Sequence, residues 1–118
     1  VKGLRMLYAA DETNVTTTST TYELKKQLTA VFDSTYSIDP RYINVIARLG
    51  GSGTTYMNVS IEGGCNKWVE LSGSGAGTLD KDTIDVSSCG TGTFPIKIYL
   101  KTTTGTGWND IVEIWYVA

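Results

Sequence analysis

Apolar side chains recur at every second position along most of this chain, and that period restricts the fold more than any other feature. In "FPIKIYLK", Phe94, Ile96, Ile98 and Leu100 alternate with Pro95, Lys97, Tyr99 and Lys101. In "INVIARL", Ile43, Val45, Ala47 and Leu49 share one side; in "TYMNVSI", Met57, Val59 and Ile61 oppose Tyr56, Asn58 and Ser60. The terminal "DIVEIWYVA" sets Val112, Ile114 and Tyr116 against Ile111, Glu113 and Trp115. Neighbouring side chains of an extended strand point to opposite faces, so each segment reads as a strand with one buried face. The intervening "LGGSGTT", "SGSGAGT", "CGTGT" and "TTTGTG" are Gly-rich turns of the kind that join antiparallel strands. The pattern predicts an all-β antiparallel β-sandwich, jelly-roll-like, with about eight or nine strands. At 118 residues the chain suits a single domain over 1–118, burying roughly two-thirds of its unfolded surface.

Two segments read less simply. "TTYELKKQLTAVF" offers a helix start at Thr20-x-x-Glu23 with Leu24, Leu28, Val31 and Phe32 at helical spacing. It also offers Tyr22, Leu24, Leu28, Ala30 and Phe32 on one strand face, interrupted by Lys26. The all-β surroundings favour the strand. Residues 1–12 hold an apolar strand, "GLRMLYAA", which the Thr-rich connector at 13–21 separates from the rest. This strand is expected either at an edge of its own sheet or exchanged with a neighbouring subunit. Because the chain starts at Val1 rather than Met, a processed mature form or an excised module is expected.

Composition narrows the partners. The ten Lys and Arg are scattered among twelve Asp and Glu, for a net charge of -2. No basic stripe forms, so nucleic acid is not an expected partner. No apolar run approaches a membrane span, so direct membrane insertion is not expected. Charged residues make up only 19% of the chain, leaving solubility to Thr, Ser, Gly and Asn. Cys65 and Cys89 both adjoin Gly-rich turns and are expected to form a disulfide closing a loop of about 25 residues. Two cysteines without any histidine cannot fill a tetrahedral zinc site. Asn14 in "NVT" and Asn58 in "NVS" match the N-glycosylation acceptor pattern.

The stretch "TLDKDTIDV" spaces Asp80, Asp82 and Asp85 as D-x-D-x-x-D. A calcium loop would need more oxygen ligands and a late Glu, and "VSSCG" supplies none. The spacing is similar to the E-x-D-x-x-E strand motif of concanavalin-like glucanases. Here, however, all three positions are the shorter Asp and Lys81 intervenes. The simpler reading is a polar turn at Asp80, Lys81 and Asp82, with "TIDV" entering a strand. Nucleophilic catalysis lacks its commonest base, since histidine is absent, and no G-x-S-x-G elbow occurs. "GSGAG" opens no helix, so no phosphate cradle is expected. Glu62, Glu70 and Glu113 are left to meet in space or not. No catalytic, metal or cofactor site is expected.

The aromatics are in surplus: Trp68, Trp108, Trp115, Tyr42, Tyr56, Tyr99 and Tyr116 cannot all face inward beside the aliphatic rows. Some fill the core or a subunit interface. Trp68, Trp108, Trp115 and Tyr56 are the candidates for contact with a partner or a sugar, whose rings stack on flat aromatic faces.

The order "STTYELKKQLTAVF", "DPRYINVIARLGGSGTTYMNVSIEGG", "DKDTIDV" and "FPIKIYLKTTTGTG" resembles the β-sandwich modules of hyperthermophilic archaeal virus structural proteins and archaeal surface proteins. It covers roughly residues 18–118, with Asp82, Thr83 and Ile84 in place of a "GDTI"-like turn and Lys81 replacing its Gly. The resemblance implies a jelly-roll or concanavalin-like sandwich in a coat, tail or filament, without a known catalytic set. The expected function is a non-enzymatic structural or attachment module of an extracellular assembly, a virion component or surface filament subunit. Its partners would be copies of itself or other subunits. The alternative is a carbohydrate-binding module that meets a cell-surface glycan through exposed aromatics.

Overall fold

The computed structural model describes residues 3–118; residues 1 and 2 of the predicted N-terminal segment lie outside the described residues. Seven antiparallel strands are found among them: β1 (Arg5–Asp11), β2 (Val15–Thr17), β3 (Glu23–Phe32), β4 (Tyr42–Ile61), β5 (Lys67–Asp85), β6 (Gly92–Thr102) and β7 (Gly107–Val117). The "TTYELKKQLTAVF" segment is a strand, as its surroundings demanded. The expected eight or nine strands become seven because two predicted Gly-rich turns are bends inside strands. "LGGSGTT" lies within β4 and "SGSGAGT" within β5. The predicted connector at 13–21 contributes β2, which pairs with β7.

The strands form one curled sheet in the order β1-β7-β4-β6-β3, with β5 along β4 and β2 along β7. β4 and β5 organise it. A straight strand of β4's 20 residues would run about 66 Å, against a longest dimension of 44 Å. The hairpin therefore turns a corner near residues 50–53 of β4 and 73–77 of β5. On one side of the corner, residues 42–51 of β4 lie between β7 and residues 75–85 of β5. On the other, residues 55–61 of β4 lie between β6 and residues 67–73 of β5. We call these the proximal and distal halves.

The corner requires glycine. A Cβ on Gly50 would lie 2.3 Å from Trp108 Cζ2, and one on Gly77, whose φ is +115°, would lie 2.7 Å from Trp108 Cη2. Trp108 thus packs directly over the bend.

The odd-numbered face of β4 and the buried rows of β6 and β7 form the core, and the structure confirms the alternation there. Ile43, Val45, Ala47, Leu49, Met57, Val59, Ile61, Ile96, Ile98, Leu100 and Ile114 are wholly buried. Tyr116 on β7 meets Phe32 on β3 edge-on at 5.6 Å, stacks on Tyr8 of β1 at 4.3 Å, and accepts the Val31 N–H. The proximal and distal halves therefore share one core. Tyr8 also donates to the Thr29 carbonyl, and buried Lys26 forms an ion pair with Asp11 at 3.3 Å. β1 is an edge strand paired to β7 within its own sheet. At the far end of the bent hairpin, a Cys65–Cys89 disulfide joins the β4–β5 turn to the segment after β5.

Candidate functional site

Each half presents an outward face, and the strand registers show what lies on it. On the proximal face, Leu79, Lys81 and Thr83 of β5 stand opposite Arg48, Ile46 and Asn44 of β4. Those in turn oppose Ile111, Glu113 and Trp115 of β7, and Leu7 of β1 opposes Trp115. Ile46, Leu79 and Ile111 line a shallow depression of about 290 Å³ with Arg48 and Glu113 at its rim. Leu79 is 69% exposed and Leu7 45%. Trp115 is half-buried; its indole N–H donates to Glu113 and the Arg5 guanidinium lies 5.7 Å above its ring. Arg48 is tied to Asp110 by two hydrogen bonds of 2.9 and 2.7 Å, which hold the Asp110 carboxyl below its ordinary pKa.

The distal face has a different chemistry. Trp68, Glu70 and Ser72 of β5 stand opposite Ser60, Asn58 and Tyr56 of β4, which oppose Lys97, Tyr99 and Lys101 of β6. Leu24 of β3 completes the middle row beside Tyr99. Trp68 is 62% exposed. The Tyr99 hydroxyl donates to Glu62 at 3.1 Å, and the Lys97 ammonium lies 3.2 Å from the same carboxylate. Partial burial alone would raise the Glu62 pKa, but the Lys97 and Tyr99 hydrogen bonds hold it below the ordinary value. Tyr22 donates to Glu70, and desolvation together with that bond raises its pKa well above the usual phenol value. The Lys101 ammonium sits 4.5 Å from the Tyr22 ring centroid and 5.4 Å from that of Tyr56, within range of a cation–π attraction.

The candidates named from the sequence are thus dispersed. Trp68 and Tyr56 share the distal face, Trp115 lies on the proximal face, and Trp108 covers the glycine corner instead of standing free. Asn14 is exposed between β1 and β2, whereas Asn58 lies half-buried in the central strand, on the distal face. Tyr22 was expected to share the face of Leu28, Ala30 and Phe32. A bulge between Leu24 and Lys26 turns Tyr22 and Leu24 outward, while Lys26 stays on the inward side with Leu28, Ala30 and Phe32. Only the Thr-rich approach and the interrupting Lys26 hinted at this irregularity.

The aspartates receive a different assignment from the predicted turn. Asp80 and Asp82 are internal to β5 and Asp85 is its last residue. Asp80 accepts the N–H groups of Ser72 and Lys81, Asp82 that of Thr83, and Asp85 that of Ser87. They lie along or at the end of a strand whose far edge pairs with no other described strand, and charged groups there oppose edge-to-edge aggregation. Among the described residues, no three His, Cys, Asp or Glu side chains stand together as a metal site. Comparison with known proteins finds no family model that matches the chain and no curated protein similar to it.

Proposed function

We propose that the chain is a non-enzymatic structural or attachment module of an extracellular assembly, a virion component or a surface filament subunit. The two halves of the curled sheet act as the layers of a jelly-roll-like sandwich, and the proximal face meets copies of itself or other subunits. The observation that carries this reading is Leu79, 69% exposed and sharing a depression with Ile46 and Ile111. Apolar side chains grouped beside an Arg–Asp pair and a Glu resemble the apolar centre and charged rim of a protein contact. Leu7 and Trp115 extend the apolar character toward β1. The Cys65–Cys89 disulfide supports a location where thiols are oxidised. The segment order that resembles archaeal viral and surface modules supports the same setting.

Sedimentation velocity across a concentration series tests this. The chain is expected to self-associate, and Leu79→Asp to sediment as a folded monomer. A wild-type chain that stays monomeric throughout, and is absent from purified particles or filaments, would overturn the reading.

A further inference from the structure

We infer that the outward face of the distal half is a binding site for a short, uncharged oligosaccharide, centred on Trp68. The face is independent of the proximal surface assigned to assembly, since the two lie on opposite sides of the glycine corner. Tyr22, Asn58, Ser60, Glu62, Trp68 and Tyr99 line one open depression of about 310 Å³.

Three observations carry the assignment. First, Trp68 leaves most of its ring in water at 62% exposure, on a face that also holds Tyr22, Tyr56 and Tyr99. A bare indole on an ordered strand is costly to hydrate. It suits a pyranose, whose C–H face lies against the negative face of the ring.

Second, polar groups of several strands converge beside it in fixed positions. The Glu62 carboxylate is held between Tyr99 at 3.1 Å and Lys97 at 3.2 Å, so it is ionised and pre-oriented as an acceptor for sugar hydroxyls. The Asn58 amide makes no hydrogen bond among the described residues, although it stands at the centre of the middle row between Glu70 and Tyr99. It offers both a donor and an acceptor. A few placed polar groups beside aromatic walls are the general form of a small-ligand site.

Third, the charges are matched locally. Lys97 faces Glu62, Lys101 lies over the Tyr22 and Tyr56 rings, and Tyr22 is bonded to Glu70. The face therefore offers many hydrogen-bonding groups with little net charge. That matches a neutral polyol better than a phosphate, a sulfated sugar or a charged peptide. The rows cross four strands, a span of roughly 14 Å at strand spacing, longer than one sugar ring.

A glycan attached at Asn58 would fill the same depression, so the test uses chain from a host that does not glycosylate. The probes are cellotriose, mannotriose and N-acetylchitotriose, titrated into labelled protein and followed by amide and indole NMR shifts. At least one should shift resonances of Trp68, Asn58 and Tyr99 and leave Leu79 and Ile111 unmoved. Trp68→Ala should weaken that binding at least ten-fold while keeping a native-like spectrum, and Tyr99→Phe should weaken it less. Leu79→Asp should bind the sugar as wild type does, which separates this site from assembly. The inference fails if none of the three sugars shifts these residues, if the shifts lie elsewhere, or if Trp68→Ala binds unchanged. It also fails if a sulfated trisaccharide binds this face more tightly than every neutral one.

Discussion

The proximal and distal faces belong to the same two long strands, yet they solve the problem of surface aromatics and aliphatics differently. On the proximal face, Leu79, Ile46 and Ile111 leave aliphatic surface in a depression rimmed by charge. Such surface gains chiefly by exclusion of water and has few directional partners. On the distal face, each aromatic ring has polar or cationic neighbours held by hydrogen bonds and ion pairs. Such a face can read the orientation of a ligand. The contrast teaches that exposure of large apolar groups does not by itself name a partner. The polarity and order of their neighbours do.

Perturbing what joins the halves should damage both faces, and perturbing one face should spare the other. The largest effect is expected from Tyr116→Ala. This fully buried ring touches Phe32 and Tyr8, and its loss should cost about 4 kcal/mol in urea unfolding, in the range for large aromatic truncations. Both self-association and sugar binding should fall with it.

Reduction of the disulfide comes next, at about 3 kcal/mol by the chain-entropy argument for a loop of this length. Cys65 lies three residues before Trp68, so the chain that remains folded should lose sugar binding before it loses association. Equal loss of both would show that the disulfide supports the two faces alike.

Acid should act on the proximal edge. Burial by itself would raise the Asp11 pKa, but the Thr13 hydrogen bonds and the Lys26 ammonium bring it below its ordinary value of 3.8. A carboxyl with a depressed folded-state pKa stabilises the fold above the unfolded value, and that contribution disappears as pH falls through the folded one. Thermal scans should therefore show a loss of stability of a few degrees from this pair as pH falls below about 4. Amide exchange in β1 should rise first. Lys26→Met should reduce that dependence, and an unchanged acid profile in the variant would sever the link.

The smallest effects on stability belong to the surface changes themselves. Leu79→Asp and Trp68→Ala should each stay within about 0.5 kcal/mol of wild type in urea unfolding. A larger loss from either would mean that its side chain supports the fold, and the pairing of one variant with one function would need revision.

Much of the fold was legible because alternation is local. Where Ile43 to Leu49 or Phe94 to Leu100 keep strict period two, burial follows it residue by residue. The distal site was only half legible. Trp68 and Tyr56 were named as contacts, and Tyr99 was seen to oppose its aliphatic row. Tyr22 takes the opposite side from the one alternation predicts, because in "YELKKQL" only the interrupting Lys26 hints at the bulge that falls between Leu24 and Lys26. The position of Trp108 depends on a similar irregularity. A register shift opposite Arg48 and Leu49 takes up Asp110, turning Asn109 into the core and Trp108 over the corner. Asn109 then donates to the Arg48 and Ile111 carbonyls that flank the irregularity.

Leu71 and Leu79 show where local information ends. Eight residues apart, they would share a side under strict alternation, yet Leu71 is fully buried and Leu79 is 69% exposed. The bend at residues 73–77 reverses sides between them.

From the chain alone came the extended conformation and the identity of the greasy rows, which adjacent peptide units and side-chain polarity specify, and the Cys65–Cys89 pairing, since the chain has two cysteines and so one possible intrachain pair. Where each row stops and changes sides was decided by packing across distant segments, such as an indole laid over two glycines. Both proposed surfaces depend on those reversals: remove the bend in β5 and the bulge in β3, and Leu79 and Tyr22 would face inward.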